Sequence, residues 1–163
     1  MFTKKLILIR HAKADWPKNI TSDFDRPLLA EGKTDAQQLG TFLLKEKLVP
    51  EFVICSPAKR TKDTFSIINH ALQLPSNKII YEEAIYEAPH TRLLKVVNGI
   101  NDNYHTVALV GHNNGISELA NYLTESFFNL PPAGTLLIEF PFDSWQLVSG
   151  ETGEIKLAHY PEE

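Results

Sequence analysis

A chain of 163 residues with 43% hydrophobic and 22% charged residues reads as one globular domain, spanning 1–163, that can bury a core without disulfide staples. Sixteen Lys and Arg against 20 Asp and Glu leave a formal net charge of −4, which gives no electrostatic reason to expect nucleic acid as a partner. A lone cysteine, Cys55, fits a reducing compartment, and the apolar run Leu6 to Ile9 is too short for a secretory signal or a membrane span, so a soluble, cytoplasmic monomer with no membrane contact is expected.

Short apolar segments alternate with longer helical patterns. KLILI, Lys5 to Ile9, is expected to be a strand, apolar on both faces as in a buried parallel sheet. Asp15 to Pro27 is polar, carries Pro17 and Pro27, and reads as a loop. From Leu28 to Lys47, apolar residues at Ala36, Leu39, Phe42 and Leu43 recur at helical spacing. FVIC, Phe52 to Cys55, is a second strand, and Pro57 is placed to open the helix that continues from Ala58 to Leu72. A short strand at Lys78–Tyr81 and a helix from Thr91 to Gly99 follow. TVALV, Thr106 to Val110, is a third core strand, followed by a helix from Gly115 to Leu123. Thr135–Phe140, Trp145–Ser149 and Glu154–His159 read as edge strands, with a turn at Gly150 and Gly153. This alternation predicts a three-layer α/β/α sandwich with a mostly parallel central sheet, whose ligand sits beyond the C-terminal ends of its strands.

Three predicted strands run into similar residues. KLILI leads into Arg10–His11, FVIC into Ser56-Pro57-Ala58-Lys59-Arg60, and TVALV into Gly111-His112-Asn113. If these strands are parallel neighbours, two arginines and two histidines converge at one sheet edge. Charges at a core boundary are costly unless paired, and a bound anion would pair them. Phosphate suits guanidinium groups through paired, charge-assisted hydrogen bonds. Backbone N–H groups at the helix starts near Pro57 and Asn113 would add to the field. A neutral histidine can attack phosphorus to give a phosphohistidine, while the remaining cations and histidine spread the transition-state charge. Such chemistry requires no metal or other cofactor, and the chain has no metal-ligand motif.

Taken jointly, Arg10-His11-Ala12-Lys13, Arg26-Pro27-Leu28 with Gly32, Ser56-Pro57-Ala58-Lys59-Arg60-Thr61 and Val110-Gly111-His112-Asn113 resemble the histidine phosphatase superfamily, which includes the phosphoglycerate mutases. The resemblance is nearest to its compact SixA-type phosphohistidine phosphatase branch. Ala12 stands where the superfamily motif has Gly, and Asn114 where a Pro usually follows the His-Asn pair. The resemblance implies a phosphoglycerate mutase-like fold. It makes His11 the nucleophile and Arg10, Arg60 and His112 the holders of the phosphoryl group. It implies a substrate that is phosphohistidine on a protein, or else a small phosphorylated molecule. Mutase-like members use a glutamate before a helix as proton donor. Among Glu82, Glu83 and Glu87 the last fits best, with Glu83 next, and the resemblance also allows no donor at all, since SixA-type members can lack one.

Each residue also has a plainer reading. Arg10–His11 could form a strand-end ion pair, Arg60 could be a solvated residue of a basic helix, and Glu87 a surface carboxylate. Asn113 joins the expected substrate-binding set. Arg26 joins it too, as a pin near the site; Lys13 and Arg26 could extend the positive pocket or simply be solvated. His70, His90, His105 and His159 share no spacing and are expected at the surface. Glu31-Gly32-Lys33-Thr34 ends like a P-loop, but Pro27 stands where its first glycine is required. Cys55 to Arg60 is one residue short of a cysteine-phosphatase loop, so Cys55 is expected to pack as the last residue of its strand.

Overall fold

The computed structural model describes residues 3–162. Among these, one six-stranded sheet lies between two layers of helix. In chain order the elements are β1 (Lys4–Arg10), α1 (Ala30–Lys45), β2 (Phe52–Cys55), α2 (Lys59–Leu72), β3 (Ile79–Tyr81), α3 (His90–Asn98), β4 (Thr106–Gly111), α4 (Gly115–Thr124), β5 (Thr135–Phe140) and β6 (Glu154–His159). The sheet order is β3-β2-β4-β1-β5-β6. The first four are mutually parallel, while β5 and β6 run antiparallel at one side. The expected sandwich is therefore present.

The double-faced strands divide the core in two. Leu6 and Leu8 of β1 point to one side, where they meet α3 and α4 through Leu93, Val97, Ile116 and Leu119. Ile7 and Ile9 point to the other, against α1 and α2 through Ala36, Leu39, Phe65 and Ile68. Period-two alternation between two apolar faces is what a central strand demands. Cys55 ends β2 fully buried, and burial pushes its thiol up to about 12, so it packs as an inert apolar residue.

Two expectations about the C-terminal third are corrected. Trp145–Ser149 is not a strand. Trp145 and Val148 are buried while Gln146 and Leu147 face out, a spacing of three that matches a 3-10 turn over Trp145–Leu147. The indole fills the core and donates from Nε1 to the Tyr104 carbonyl at 2.9 Å. Nor is β5 an edge: it pairs with β1 on one side and β6 on the other. Its run TLLIEF is almost wholly buried, as an interior strand requires.

Helix starts shift slightly from expectation. α2 begins at Lys59, two residues beyond Pro57, and α1 at Ala30. The loop before α1 contains one 3-10 turn at Asp23–Asp25. Two glycines set close approaches around the strand ends. A Cβ at Gly32 would lie 2.3 Å from the Lys13 carbonyl oxygen, and one at Gly115 would lie 2.0 Å from that of Ala88. Both contacts are with backbone, which cannot swing aside. Gly115→Ala should therefore destabilise the protein by about 1–3 kcal/mol, lowering Tm by roughly 2–4 °C per kcal/mol. Gly99→Ala is the control, since its Cβ would meet only ordinary contacts at 3.6 Å. Equal urea midpoints for the two variants would count against this packing account.

Candidate active site

The sheet order brings the three strand ends together. β4 lies between β2 and β1, and the register places Arg10 beside Gly111 and Cys55 beside Val110. Whatever follows these strands must emerge at one edge. The loop after Leu130 then clamps β1: the Ala133 N–H donates to the carbonyls of Arg10 and His11 at 3.1 and 3.0 Å.

His11 is nearly buried, and its Nδ1 lies 2.7 Å from the Ala12 carbonyl oxygen. A carbonyl only accepts, so in the neutral ring Nδ1 carries the hydrogen and Nε2 keeps a bare lone pair. Burial, joined by the fields of Arg60, Arg10 and Arg26, holds the pKa down at about 4 against the opposing pull of the Ala12 contact. The ring is neutral at pH 7, the form that can attack phosphorus.

His112 lies across from it, with ring centroids 5.5 Å apart. Its Nε2 is 2.8 Å from Ser56 Oγ. Its Nδ1 is buried without a hydrogen-bond partner and stands 3.5 Å from Glu87 Oε1. Burial first, then Arg60 and His11, lowers its pKa to about 3.

Arg60 is not a solvated helix residue: its side chain is 1% exposed. Nη1 donates to the Asp23 carbonyl at 2.7 Å, and Nη2 to Asp23 Oδ2 at 3.0 Å and Glu87 Oε1 at 2.7 Å. Arg10 donates from Nη1 to the Leu130 carbonyl at 2.7 Å, and burial lowers its pKa. The Nε atoms of both arginines are buried without a partner. Thus Arg10 Nε, Arg60 Nε and His112 Nδ1 are three buried nitrogens left without a hydrogen-bond partner, on residues that gather with His11 at this sheet edge. Unpaired buried donors are costly, and a tetrahedral oxyanion offers the acceptors they lack.

Of the three competing glutamates, Glu87 alone reaches these residues. Glu82 turns back to accept from the Ala84 N–H at 3.1 Å, and Glu83 makes no side-chain hydrogen bond or ion pair among the described residues. Glu87 sits at a left-handed backbone position, φ 48°, between a 3-10 turn and α3. A cleft of about 230 Å³, lined by Glu87, His112, Asn113, Gly115 and Glu118, opens beside it.

Arg26 does sit near the site, donating from Nε to the Asp15 carbonyl at 3.0 Å and from Nη1 to Asp23 Oδ1 at 3.3 Å. Asn113 is engaged at both ends of its amide: Nδ2 donates to Asn129 Oδ1 at 2.8 Å, and Oδ1 accepts from the Ser117 hydroxyl. Lys13 pairs with Glu31 at 2.5 Å. The Ala58 N–H is taken by Ser56 Oγ at 3.3 Å, so that helix start does not offer it to a ligand.

Sequence reading missed Asp23 and Tyr86. The Tyr86 hydroxyl donates to Asp23 Oδ2 at 2.5 Å, so Asp23 ties Tyr86, Arg26 and Arg60 together. Burial raises the Asp23 pKa, but the Tyr86 hydrogen bond and then Arg60 outweigh it, and the net shift is downward. The one available signal was Asp23 standing three residues before Arg26 at a turn. Its link to Arg60 crosses 37 positions and has no local spacing.

The two histidines make folding pH-dependent. Below about pH 6.5 the unfolded imidazoles bind protons that the folded ones refuse until about pH 4 and 3. The unfolded state then holds more protons, so stability falls as pH falls through this window, by up to about 1.4 kcal/mol per pH unit per histidine. Asp23, with its lowered pKa, loses its contribution only further into acid. Urea melts between pH 7 and 5 should show the decline, and His11→Ala should lessen its slope by about one proton. An unchanged slope in that variant would contradict the buried neutral imidazole.

A buried neutral histidine, a second buried histidine and two arginines gathered at the strand ends of an α/β sandwich suit a phosphoryl-handling class of protein. The sequence profile of the histidine phosphatase superfamily (branch 1) matches residues 6–88. The chain belongs to that superfamily, which contains phosphatases and mutases. It is 28% identical over 165 residues to an uncharacterized protein of Mycobacterium leprae, covering 94% of this chain and 99% of the relative. It is 32% identical over 135 residues to a 2,3-bisphosphoglycerate-dependent phosphoglycerate mutase of Hamiltonella defensa, covering 82% of this chain and 50% of the mutase. A provisionally named phosphohistidine phosphatase SixA of Nakamurella multipartitia superposes with a TM-score of 0.86 at 22% identity, covering 100% and 99% of the two chains. The protein histidine phosphatase SixA solved with tungstate superposes at 0.77 and 19% identity, covering 96% and 97%. Among the described residues no helix is long and apolar enough to cross a membrane.

Proposed function

We propose that this protein is a phosphatase that works through a covalent phosphohistidine on His11, and that its substrate is phosphohistidine on another protein. The observation that carries the reading is the bare Nε2 of His11 together with Arg10 Nε, Arg60 Nε and His112 Nδ1, buried and without partners, on residues that share one sheet edge. Nε2 attacks phosphorus as the P–N bond to the substrate imidazole breaks. The electron pair leaves with that imidazole, which takes a proton from water, directly or relayed through the Glu87 carboxylate. The phosphoryl group's oxygens draw on the three unpaired donors. Water then attacks phospho-His11, releasing inorganic phosphate and restoring the neutral ring. No step draws on a metal or cofactor.

Two things support the protein substrate. The SixA structures align with this chain nearly end to end, and one of them holds tungstate, an oxyanion of phosphate's shape. In addition, the Glu87 carboxylate is about half exposed, so the site is not roofed on that side. A small phosphomonoester is the second reading, favoured by the cleft beside His112, which can seat a compact leaving group. A silent phosphate-binding module would have no use for a bare, neutral nucleophile.

The test is to incubate the protein with a ³²P-labelled phosphohistidine protein and with sugar, glycerate and nucleotide phosphates. Acid-labile, alkali-stable label on His11 is expected, with fastest release from the phosphohistidine protein. Fastest release from a small ester would support the second reading. No transferable label from any substrate would favour the silent module.

A further inference from the structure

We infer that Ser56 is a positioning residue that fixes His112 as the Nδ1–H tautomer, so that this neutral histidine points a hydrogen-bond donor, not a lone pair, into the phosphoryl site. The inference rests on the phosphatase reading for its use, but the tautomer can be observed without turnover.

Two independent pieces of geometry agree. The first is at Nε2. Ser56 is fully buried, and its Oγ already accepts from the Ala58 N–H at 3.3 Å. Its hydroxyl hydrogen needs an acceptor, and among the described residues the one within reach is His112 Nε2 at 2.8 Å. Were Nε2 protonated instead, Ser56 Oγ would accept twice and its own hydrogen would be buried unpaired, at a cost of about 1–3 kcal/mol. The second is at Nδ1. That atom stands 3.5 Å from Glu87 Oε1. A bare Nδ1 would hold its lone pair 3.5 Å from a carboxylate oxygen, a repulsion that a protonated Nδ1 avoids even though the contact is not a hydrogen bond. Both ends of the ring thus demand the same proton position.

The two site histidines then have the same tautomer and opposite uses. His11 gives its Nδ1–H to the Ala12 carbonyl and presents a bare Nε2. His112 takes the Ser56 hydrogen on Nε2 and presents Nδ1–H, which has no hydrogen-bond partner in the fold. One is a nucleophile and the other a donor to the transferring group, and the difference is set by what lies behind each ring. A fixed donor aimed where charge develops costs no reorganisation during the reaction. Ser56 sits directly after β2 and His112 directly after β4, which are adjacent parallel strands, so the sheet itself holds this pair in register.

The experiment uses ¹⁵N-histidine-labelled protein at pH 7 and long-range ¹H–¹⁵N correlations, with His112 assigned by the signals missing in His112→Gln. A bare Nε2 and a protonated Nδ1 are expected. The reverse pattern in the wild type would overturn the proposal, whatever the enzyme's activity. In Ser56→Ala, a change that only removes an oxygen, both nitrogens should move toward averaged shifts as the tautomers exchange. The rate of His11 phosphorylation by 4-nitrophenyl phosphate should fall about 5- to 10-fold, the loss of one hydrogen bond's bias. A variant that keeps the tautomer, or loses it with no change in rate, would refute the positioning role. Failure of the phosphatase reading looks different: the wild-type protein would show the expected tautomer and yet take no label on His11.

Discussion

Replacing His11 with alanine should abolish turnover of 4-nitrophenyl phosphate, by on the order of 10⁴-fold or more, the scale on which covalent catalysis fails when its nucleophile is removed. The fold should survive. His11 follows β1, its backbone is held by Gly111 and Ala133, and its ring makes one hydrogen bond, to the Ala12 carbonyl, so the sheet does not hang on that ring. The anion site should survive too, because Arg10, Arg60 and His112 are each held by other partners: Leu130, Asp23 and Ser56. Tungstate or phosphate binding, measured by calorimetry, should weaken by less than about tenfold. The contrast with His112→Ala gives the prediction its edge. That variant loses a donor but keeps the nucleophile, and removal of one such donor typically costs about 10²–10³-fold. If the two variants were equally dead, or if His11→Ala kept wild-type turnover, the division of labour between the rings would be wrong.

How much of this could be read in the sequence divides by the range of the interactions. The strand ends were legible because KLILI, FVIC and TVALV are apolar on both faces and stop abruptly at Arg10, Ser56 and Gly111 or His112. A parallel sheet then leaves little choice about where those residues meet. Strand identity failed where the pattern was sparse: Trp145 and Val148 are two buried residues three apart, and only packing against Tyr104 and Asn98 decides that they form a turn. The charged half of the site was only partly legible. Arg60 could be named, but not that it is buried, because its burial depends on Asp23 and Glu87 arriving from 37 positions before it and 27 after it. Ser56 passed as part of a motif, since its role is defined by the ring of His112 and not by its neighbours in the chain. Local periodicity fixes which residues face a core. It says nothing about which acceptor a buried guanidinium or imidazole finds.

Glu87→Gln should separate substrates by their leaving groups. An imidazole, with a pKa near roughly 6.5, departs with little help, whereas an alkoxide must be protonated as it leaves. The variant should therefore slow phosphohistidine hydrolysis only slightly. Hydrolysis of an alkyl phosphate should fall by about 10²–10⁴-fold, the usual range for general acid catalysis, with an aryl phosphate between. Glutamine is a fair probe here, because its carbonyl oxygen can still accept from Arg60 Nη2, as Glu87 Oε1 does at 2.7 Å, and so keeps the guanidinium in place. The comparison has to be made on phosphorylation of His11 in single turnover, since slow loss of phosphate from His11 would level the three substrates. Equal damage to all three would mean that Glu87 acts by holding Arg60 or His112, which it also faces at 3.5 Å. No damage even to the alkyl ester would remove Glu87 from the chemistry. Glu83 could not simply take its place, since among the described residues its side chain makes no hydrogen bond or ion pair with the site. The proton would then come from water, and the alkyl ester would be turned over without an enzymic acid, so the choice between ester and phosphoramidate would rest on the wild-type rates for the two classes.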